Sequence, residues 1–181
     1  MSQSEPTLAV PVSADDHIQG NAAVVTLVEY GDYQCPACAM AYPVVKHIQR
    51  HYAGNIRFVF RNFPMAQAHP LAGAAAELAE GAALLDRFWD MHDWLFDNQD
   101  DWAADGTPGL QQGLRALSID EERMARVLRD NDVDARVQRD FLGGVRSGVN
   151  GTPGFFVNGD RYDGDLESLA RTIGRLIARD G

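Results

Sequence analysis

Cys35 and Cys38 are the only two cysteines of the 181-residue chain, and two residues separate them. They follow an apolar, β-branched run that ends at Tyr30, and they precede apolar residues at helical spacing, so a predicted strand gives way here to a predicted helix. A thiol in the first turn of a helix faces unpaired backbone N–H groups and the positive end of the helix dipole, which favour the thiolate. Because the thiolate is the attacking species in disulfide exchange, this position favours a redox-active dithiol.

Two other roles for such a pair are weaker. A zinc site needs two more ligands at metal spacing, and His47 and His51 stand on the following helix, a turn or more away. A structural disulfide between neighbours on one helical turn closes almost no loop and therefore adds little stability. We interpret Cys35 as the exposed nucleophile and Cys38, one turn further in, as the resolving cysteine. No metal and no cofactor are predicted.

The elements around the pair predict an α/β fold. Residues 22–30 and 56–63 have strand patterns on either side of a helix that runs to residue 52, which makes a βαβ unit. Only helical patterns follow, and one of them is assigned Ser118 as its cap, with Glu121 completing a capping box. Residues 98–108 are predicted to be a polar loop. The chain then closes with a hairpin around Asn158-Gly159 and a final amphipathic helix at 166–178.

This order predicts three parts. Residues 1–21 are expected to be a loose polar leader with a short edge strand at 8–12. Residues 22–64 and 149–181 are expected to form one α/β domain, into which residues 65–148 are inserted as a helical subdomain.

The pattern resembles the thioredoxin fold with the helical insertion of the DsbA family. The resemblance extends from about residue 22 to the C-terminus, and it is most specific at the Cys-x-x-Cys motif and at Gly-Thr-Pro. The matching segments are 25–38, 61–64, 69–70, 88–93 and 151–159.

The resemblance implies roles for residues on both sides of the site. Cys35 and Cys38 match the catalytic pair, and Pro153 matches the cis-proline that faces it. Thr152 precedes this proline, at the position whose backbone pairs with the extended chain of a client protein. Glu29 matches the buried acid that carries a proton to or from the second cysteine, and a desolvated carboxyl there would have a raised pKa.

The dipeptide between the cysteines, Pro36-Ala37, is expected to face the client. It differs from the Pro-His of strongly oxidising members and from the Gly-Pro of thioredoxins, so one thiolate-stabilising histidine is missing. We therefore expect a reduction potential between the values of about −270 mV for thioredoxin and about −120 mV for DsbA.

Four nearby residues are expected to have no chemical role. Asp32 and Tyr33 are predicted at the rim of the client groove. His69 is predicted to cap or turn the chain before an alanine-rich helix, and His92 to pack and hydrogen-bond on an aromatic helix face.

Charge and hydropathy limit the partners. Lys and Arg number 16 against 26 Asp and Glu, and the net charge of −10 argues against nucleic acid or an anionic membrane as the main partner. No apolar run approaches the length of a membrane span. The first residues lack the features of a secretory signal, which predicts a cytoplasmic protein, although the mature form of an exported, periplasmic protein would have the same N-terminus.

The leading hypothesis is a thiol–disulfide oxidoreductase whose partners are client proteins with thiols or disulfides and a redox protein that recycles the pair. One alternative is a cytoplasmic disulfide reductase or redox partner fed by another dithiol protein. Another is a non-catalytic thioredoxin-fold module that holds peptides in the cis-proline groove. The intact cysteine pair argues against this last alternative.

Overall fold

A five-stranded mixed sheet forms the centre of the protein. The computed structural model describes residues 7–21 and 24–180. The strands are β1 (His17–Gln19), β2 (Val25–Gly31), β3 (Ile56–Asn62), β4 (Gly154–Val157) and β5 (Asp160–Tyr162). They stand in the order β1-β3-β2-β4-β5. The central strands are rich in apolar and β-branched residues, which fit a pleated surface that is covered on both faces.

The first three elements of the cysteine region form the predicted βαβ unit. β2 and β3 run parallel with Val25 opposite Ile56, and a parallel pair needs a crossover. Helix α1 (Pro36–His51) supplies it. β4 pairs with the other edge of β2 in the antiparallel sense, with Tyr30 opposite Gly154. This pairing brings the segment just before β4 beside the turn that follows β2.

Between β3 and β4 the chain forms helices, joined by turns and short loops, as the sequence predicts. These helices are α2 (Ala72–Ala83), α3 (Phe88–Asp97), α4 (Gln99–Asp105), α5 (Thr107–Ala116), α6 (Glu121–Asp130) and α7 (Val133–Arg146). The boundaries of the predicted domain and inserted subdomain stay a prediction.

β4 and β5 form the predicted hairpin, and helix α8 (Leu166–Asp180) follows it. The two-residue turn of the hairpin, Asn158-Gly159, has φ of 52° and 92°. A type I′ turn requires positive φ at both positions, and these two residue types adopt it readily. The Asn158 side chain also accepts a hydrogen bond from the backbone N–H of Thr26 at 2.7 Å, which ties the turn to β2.

The sheet carries a hydrophobic cluster on each face, because successive strand residues point to opposite sides. On β2, Leu27 belongs to the larger cluster, which includes residues of α1, α3 and α8. Its neighbour Val28 belongs to the smaller cluster, against which Phe141 of α7 packs. The fold therefore covers both faces of the central strands.

The path of the N-terminal segment corrects one prediction. Arg61 is 3% exposed, and its guanidinium donates hydrogen bonds to the carbonyls of Val10 and Pro11 and pairs with Asp16 at 2.8 Å. The predicted edge strand at 8–12 is wrong, because these residues form no strand and only Thr7, just before them, makes an isolated bridge with Asp160. The strand at the β3 edge of the sheet is β1, antiparallel to β3.

Residues 8–18 are also packed where a loose leader was predicted, since Leu8, Val12 and Ile18 contact the smaller hydrophobic cluster. Residues 1–6 of the predicted leader, residues 22–23 of the predicted strand and residue 181 lie outside the described residues.

Two details of the helical region also differ from the predictions. Residues 98–108, predicted as a loop, contain α4, in which Trp102 is 1% exposed and donates its indole N–H to the carbonyl of Leu95 at 2.7 Å. The predicted cap Ser118 has a left-handed backbone with φ of 54°. Asp120 caps α6 instead, and its carboxyl group accepts a hydrogen bond from the N–H of Arg123 at 2.7 Å.

Candidate active site

The two cysteines lie at the N-terminus of α1, where the sequence predicts them. Cys35 is the N-cap residue, with φ of −75° and ψ of 121°. Its carbonyl accepts the N–H groups of Cys38 and Ala39, each at 3.1 Å, and so begins the helix. Both thiols are free, and the first turn of α1 holds no acidic residue. This turn therefore presents N–H groups and no opposing negative charge to a thiolate.

The surroundings of Cys35 favour its ionised form. A hydrogen bond with the Cys38 thiol is the largest influence and lowers the pKa of Cys35 to about 5, against the opposing effect of partial burial. Hydrogen bonds donated to its sulfur by the Thr152 side chain and by the backbone of Cys38 and Ala37 lower it further. Cys35 retains an exposed fraction of 7%, whereas Cys38 retains none.

Cys38 has the opposite environment. It is fully buried, and burial is the main reason why its pKa is raised far above that of an ordinary thiol. The hydrogen bond with Cys35 and the charge of Glu29 raise it further. The backbone N–H of Asp32 donates to its Sγ at 3.5 Å and partly offsets these effects. One thiol of the pair is therefore held as a thiolate and the other as a protonated donor.

Thr152 and Pro153 lie directly across from Cys35. The peptide bond between them is cis, as the resemblance implies. The Sγ of Cys35 lies 3.4 Å from the carbonyl oxygen of Thr152, to which the thiol donates when it is protonated. Pro36 occupies the first turn of α1 and is exposed, and Ala37 is half-buried. These residues surround Cys35 at the surface.

Glu29 lies inside the protein, on the β2 strand that leads to the cysteine turn. It is 3% exposed, opposite Phe60 of β3 and Phe155 of β4. Burial is the main cause that raises its pKa from 4.5 to about 8, and the negative charge of Cys35 adds to the effect. Its connection with the two thiols is electrostatic. The sequence-predicted site residues therefore converge on one turn and its immediate surroundings.

The prediction that Asp32 lies at the rim of the client groove is wrong, because the residue is buried. Its carboxyl group accepts the N–H groups of Gln34 at 2.7 Å and Met65 at 2.8 Å, and it pairs with Nδ1 of His69 at 2.7 Å. A charged residue directly after an apolar strand and three positions before a cysteine was the available signal for this role. Tyr33 is also buried, at 1% exposure.

Gln99 was missed by sequence reasoning. Its side-chain amide donates to the carbonyls of Tyr33 at 2.7 Å and Cys35 at 3.0 Å. The residue belongs to α4, far from the cysteines in sequence, and no pattern indicates this contact. His92 has the predicted packing role, since it is 3% exposed and shares a hydrogen bond of 3.1 Å with the hydroxyl of Tyr33.

The described residues contain neither a grouped set of metal ligands nor a helix that could span a membrane. Within residues 7–21 and 24–180, no three His, Cys, Asp or Glu side chains are grouped as a metal ion would require. In the same part of the chain, every helix is too short or too polar to cross a bilayer.

Comparison with known sequences identifies a family. The family model described as Thioredoxin matches residues 13–175. The Na(+)/H(+) antiporter NhaA 1 of Salinispora arenicola is 39% identical over 175 residues, which cover 94% of this chain and 26% of that protein. The chain thus spans about a quarter of the length of the curated relatives it matches.

Solved structures give the same fold. The thiol-disulfide exchange protein alpha-DsbA2 of Wolbachia pipientis has a TM-score of 0.77 at 20% identity, covering 90% of this chain and 88% of that one. Oxidised BdbD from Bacillus subtilis has a TM-score of 0.80 at 25% identity, covering 97% of this chain and 100% of that one. The predicted fold is therefore confirmed. This chain belongs to the thioredoxin family and has the DsbA-like form of its fold.

Proposed function

We propose that the protein is a thiol–disulfide oxidoreductase that exchanges disulfides with client proteins through Cys35 and Cys38. The placement of the free Cys35 thiol at the N-terminus of α1, 3.4 Å from the carbonyl oxygen of Thr152, is the observation that carries the proposal. A hydrogen bond with Cys38 is the main reason why the pKa of Cys35 is lowered to about 5. A thiol of this pKa is a thiolate at neutral pH and attacks disulfides. The fold is also that of the Wolbachia thiol-disulfide exchange protein, which supports the same chemistry here.

The proposed reduction of a client disulfide has two exchange steps. The Cys35 thiolate attacks one client sulfur, the client S–S bond breaks, and a mixed disulfide forms as a client thiolate leaves. Cys38 then loses its proton and attacks the Sγ of Cys35. This step forms the Cys35–Cys38 disulfide and releases the second client thiolate. Two electrons pass to the client, which takes up protons on its thiolates, and the same steps in reverse oxidise a client dithiol.

Glu29 is proposed to accept the proton of Cys38. While Cys35 is a thiolate, its charge helps to keep Glu29 protonated and the hydrogen bond between the thiols helps to keep Cys38 protonated. The mixed disulfide removes the charge of Cys35. The pKa values of Glu29 and Cys38 then both fall, so that Glu29 ionises more readily and Cys38 deprotonates more readily. Formation of the mixed disulfide therefore makes it easier for Cys38 to deprotonate and resolve it.

The client is proposed to bind along the loop that precedes β4. Backbone groups of Thr152 would pair with an extended client segment, which is a form of strand addition. Pro153 would hold this loop against the cysteine turn, and the surface around Pro36 and Ala37 would contact the client chain beside its disulfide. The contact between the Cys35 thiol and the Thr152 carbonyl supports this arrangement, because it places the nucleophile at the same loop.

An insulin reduction assay with dithiothreitol tests the proposal. We expect the wild-type protein to accelerate insulin precipitation and the Cys35→Ser variant to have no effect. We expect the Cys38→Ser variant to accumulate a mixed disulfide with insulin, detectable by mass spectrometry, because the resolving thiol is absent.

The double variant Cys35→Ser/Cys38→Ser is the control for nonspecific adducts. If the wild-type protein does not accelerate reduction and Cys38→Ser forms no adduct, the enzyme proposal fails. Binding of insulin without any exchange would instead identify a peptide-binding module.

We propose that the exchange can run in either direction, so that the protein can reduce or oxidise its clients. The pKa of Cys35, about 5, lies between the values of about 7 for thioredoxin and about 3.5 for DsbA. An intermediate potential lets the recycling partner decide whether the protein reduces or oxidises clients. A reducing cytoplasm would favour the reductase, and an oxidising compartment such as the periplasm would favour the oxidase.

A further inference from the structure

The carboxyl group of Asp32 connects three backbone segments beneath the cysteine turn. Its side chain is fully buried. One oxygen accepts the N–H of Gln34 at 2.7 Å, and the other accepts the N–H of Met65 at 2.8 Å and pairs with Nδ1 of His69 at 2.7 Å. The carboxyl group therefore joins the residue before Cys35 to the loop between β3 and α2.

The backbone of the same residue contacts both cysteines. The carbonyl of Asp32 accepts the N–H of Cys35 at 3.1 Å. The N–H of Asp32 donates to Sγ of Cys38 at 3.5 Å. The side chain and the backbone of Asp32 therefore both form hydrogen bonds with the Cys-x-x-Cys turn.

A second contact joins the same two segments. The side-chain oxygen of Gln34 accepts the N–H of Leu71 at 2.7 Å. His69 lies between Met65 and Leu71 and is 21% exposed at its side chain. The loop from Met65 to Leu71 therefore braces the cysteine turn from outside.

We propose that Asp32, held by His69, is a positioning residue that aims the Cys38 thiol at Cys35. The inference rests on the proposed exchange function. The Cys38 sulfur accepts the N–H of Asp32 through a lone pair. Its own S–H is therefore free to donate, and Cys35 is the neighbouring acceptor. Asp32 acts through Cys38 and does not itself touch the reacting Cys35 sulfur.

The consequence is a direct link between Asp32 and the reactivity of Cys35. The hydrogen bond with Cys38 is the largest influence that favours the Cys35 thiolate. A thiol is a weak donor and its hydrogen bond depends on distance and angle, so a small rotation of the turn weakens this one. Loss of the carboxyl anchor should therefore reduce the thiolate character of Cys35 even though the anchoring contacts of the Asp32 carboxyl are to Gln34, Met65 and His69.

Titration of the Cys35 thiolate by ultraviolet absorbance tests the proposal in the reduced full chain. Asp32→Asn replaces one acceptor oxygen by an N–H₂ donor. We expect it to raise the pKa of Cys35 by about one unit, the size of one lost hydrogen bond, against the smaller opposite effect of removing a nearby negative charge. We expect His69→Leu to raise it in the same direction by a smaller amount. His69→Asn keeps an N–H donor near the position of Nδ1, so we expect it to restore a value close to that of the wild type.

Asp16→Asn is the matched control, since Asp16 is also a buried carboxyl with a paired base, Arg61, but does not belong to the site. We expect it to lower stability and leave the pKa of Cys35 unchanged. An unchanged Cys35 pKa in folded Asp32→Asn and His69→Leu would overturn the proposal. If Asp32→Asn does not fold, the test is the difference in Cys35 pKa between His69→Leu and His69→Asn, and equal values would overturn the proposal. The insulin assay on the wild-type protein reports separately on the exchange function, so the two failures are distinct.

Discussion

Cys35 and Cys38 share one hydrogen bond, which acts on their pKa values in opposite directions. It lowers the pKa of Cys35, which accepts it, and raises the pKa of Cys38, which donates it. Burial then separates their pKa values further, because Cys38 is fully enclosed whereas Cys35 keeps an exposed fraction of 7%. In the proposed mechanism, this asymmetry gives the attacking role to Cys35 and keeps Cys38 protonated until a client is bound.

Removal of the donor tests this asymmetry. Cys38→Ala deletes the hydrogen bond, so we expect the pKa of Cys35 to rise from about 5 toward the ordinary thiol value of about 8.5. Cys38→Ser keeps an O–H donor and should remain closer to the wild type. The pKa of Cys35 is measured by thiolate absorbance in the wild type and both variants. Equal pKa values would show that the hydrogen bond is not the main cause of the lowered pKa.

Glu29 should make the reduced protein less stable as pH rises. The unfolded chain releases the Glu29 proton near the ordinary pKa of 4.5, while the folded chain holds it until about pH 8. Between these values the folded state binds more protons, so its free energy of unfolding falls by up to about 1.4 kcal/mol per pH unit. Glu29→Gln carries no ionisable proton and should lack this loss.

The comparison is made in a Cys35→Ser background, which removes the opposing titration of Cys35 and leaves burial as the cause of the raised Glu29 pKa. Urea unfolding across this pH range should show Glu29→Gln gaining stability relative to its parent as pH rises. Glu122→Gln, at an exposed position, should not change how the free energy of unfolding depends on pH. Parallel curves for the parent and Glu29→Gln would contradict the burial argument.

At the scale of elements, the site depends on how two helices and one loop meet. α1 supplies its N-terminus, the segment before β4 supplies Thr152, and α4 reaches the turn through Gln99. The Gln99 amide is 7% exposed and donates to two carbonyls of the turn. The helical region therefore supports the cysteine turn directly.

Gln99→Ala tests this support. It leaves the carbonyls of Tyr33 and Cys35 without one donor each in a buried place, and we expect it to lower the free energy of unfolding by about 1–3 kcal/mol. Gln111→Ala, at an exposed position of α5, should change it by less than about 0.5 kcal/mol. Urea unfolding measures both, and an equal effect would mean that the Gln99 contacts add no stability.

The elements also show which features a sequence reveals. β2, β3 and the hairpin were predictable because their residues are apolar or have turn chemistry that needs no distant partner. α4 was not, because Gln99–Asp105 is mostly polar and acidic and its helix is stabilised by burial of Trp102 in the tertiary structure. The role of Gln99 was hidden for the same reason. Asp32 was misjudged because burial of a charged side chain depends on donors from a loop more than thirty residues away.

At the scale of the whole molecule, the sheet order creates the site. β2 lies between β3 and β4, so the cysteine turn after β2 meets the loop after β3 on one side and the Thr152 loop on the other. The motif residues were predictable as a set from the resemblance, whereas their mutual contacts follow from this order. The thiol pair should therefore behave as one two-electron centre.

The equilibrium of the protein with reduced and oxidised glutathione tests this central claim most directly. We predict a single transition in which Cys35 and Cys38 form an intramolecular disulfide, with a midpoint between about −270 mV and about −120 mV. Mass spectrometry of acid-quenched samples and thiol alkylation would identify the species. Stable glutathione adducts without an intramolecular disulfide, or a midpoint at or beyond either limit, would contradict the account.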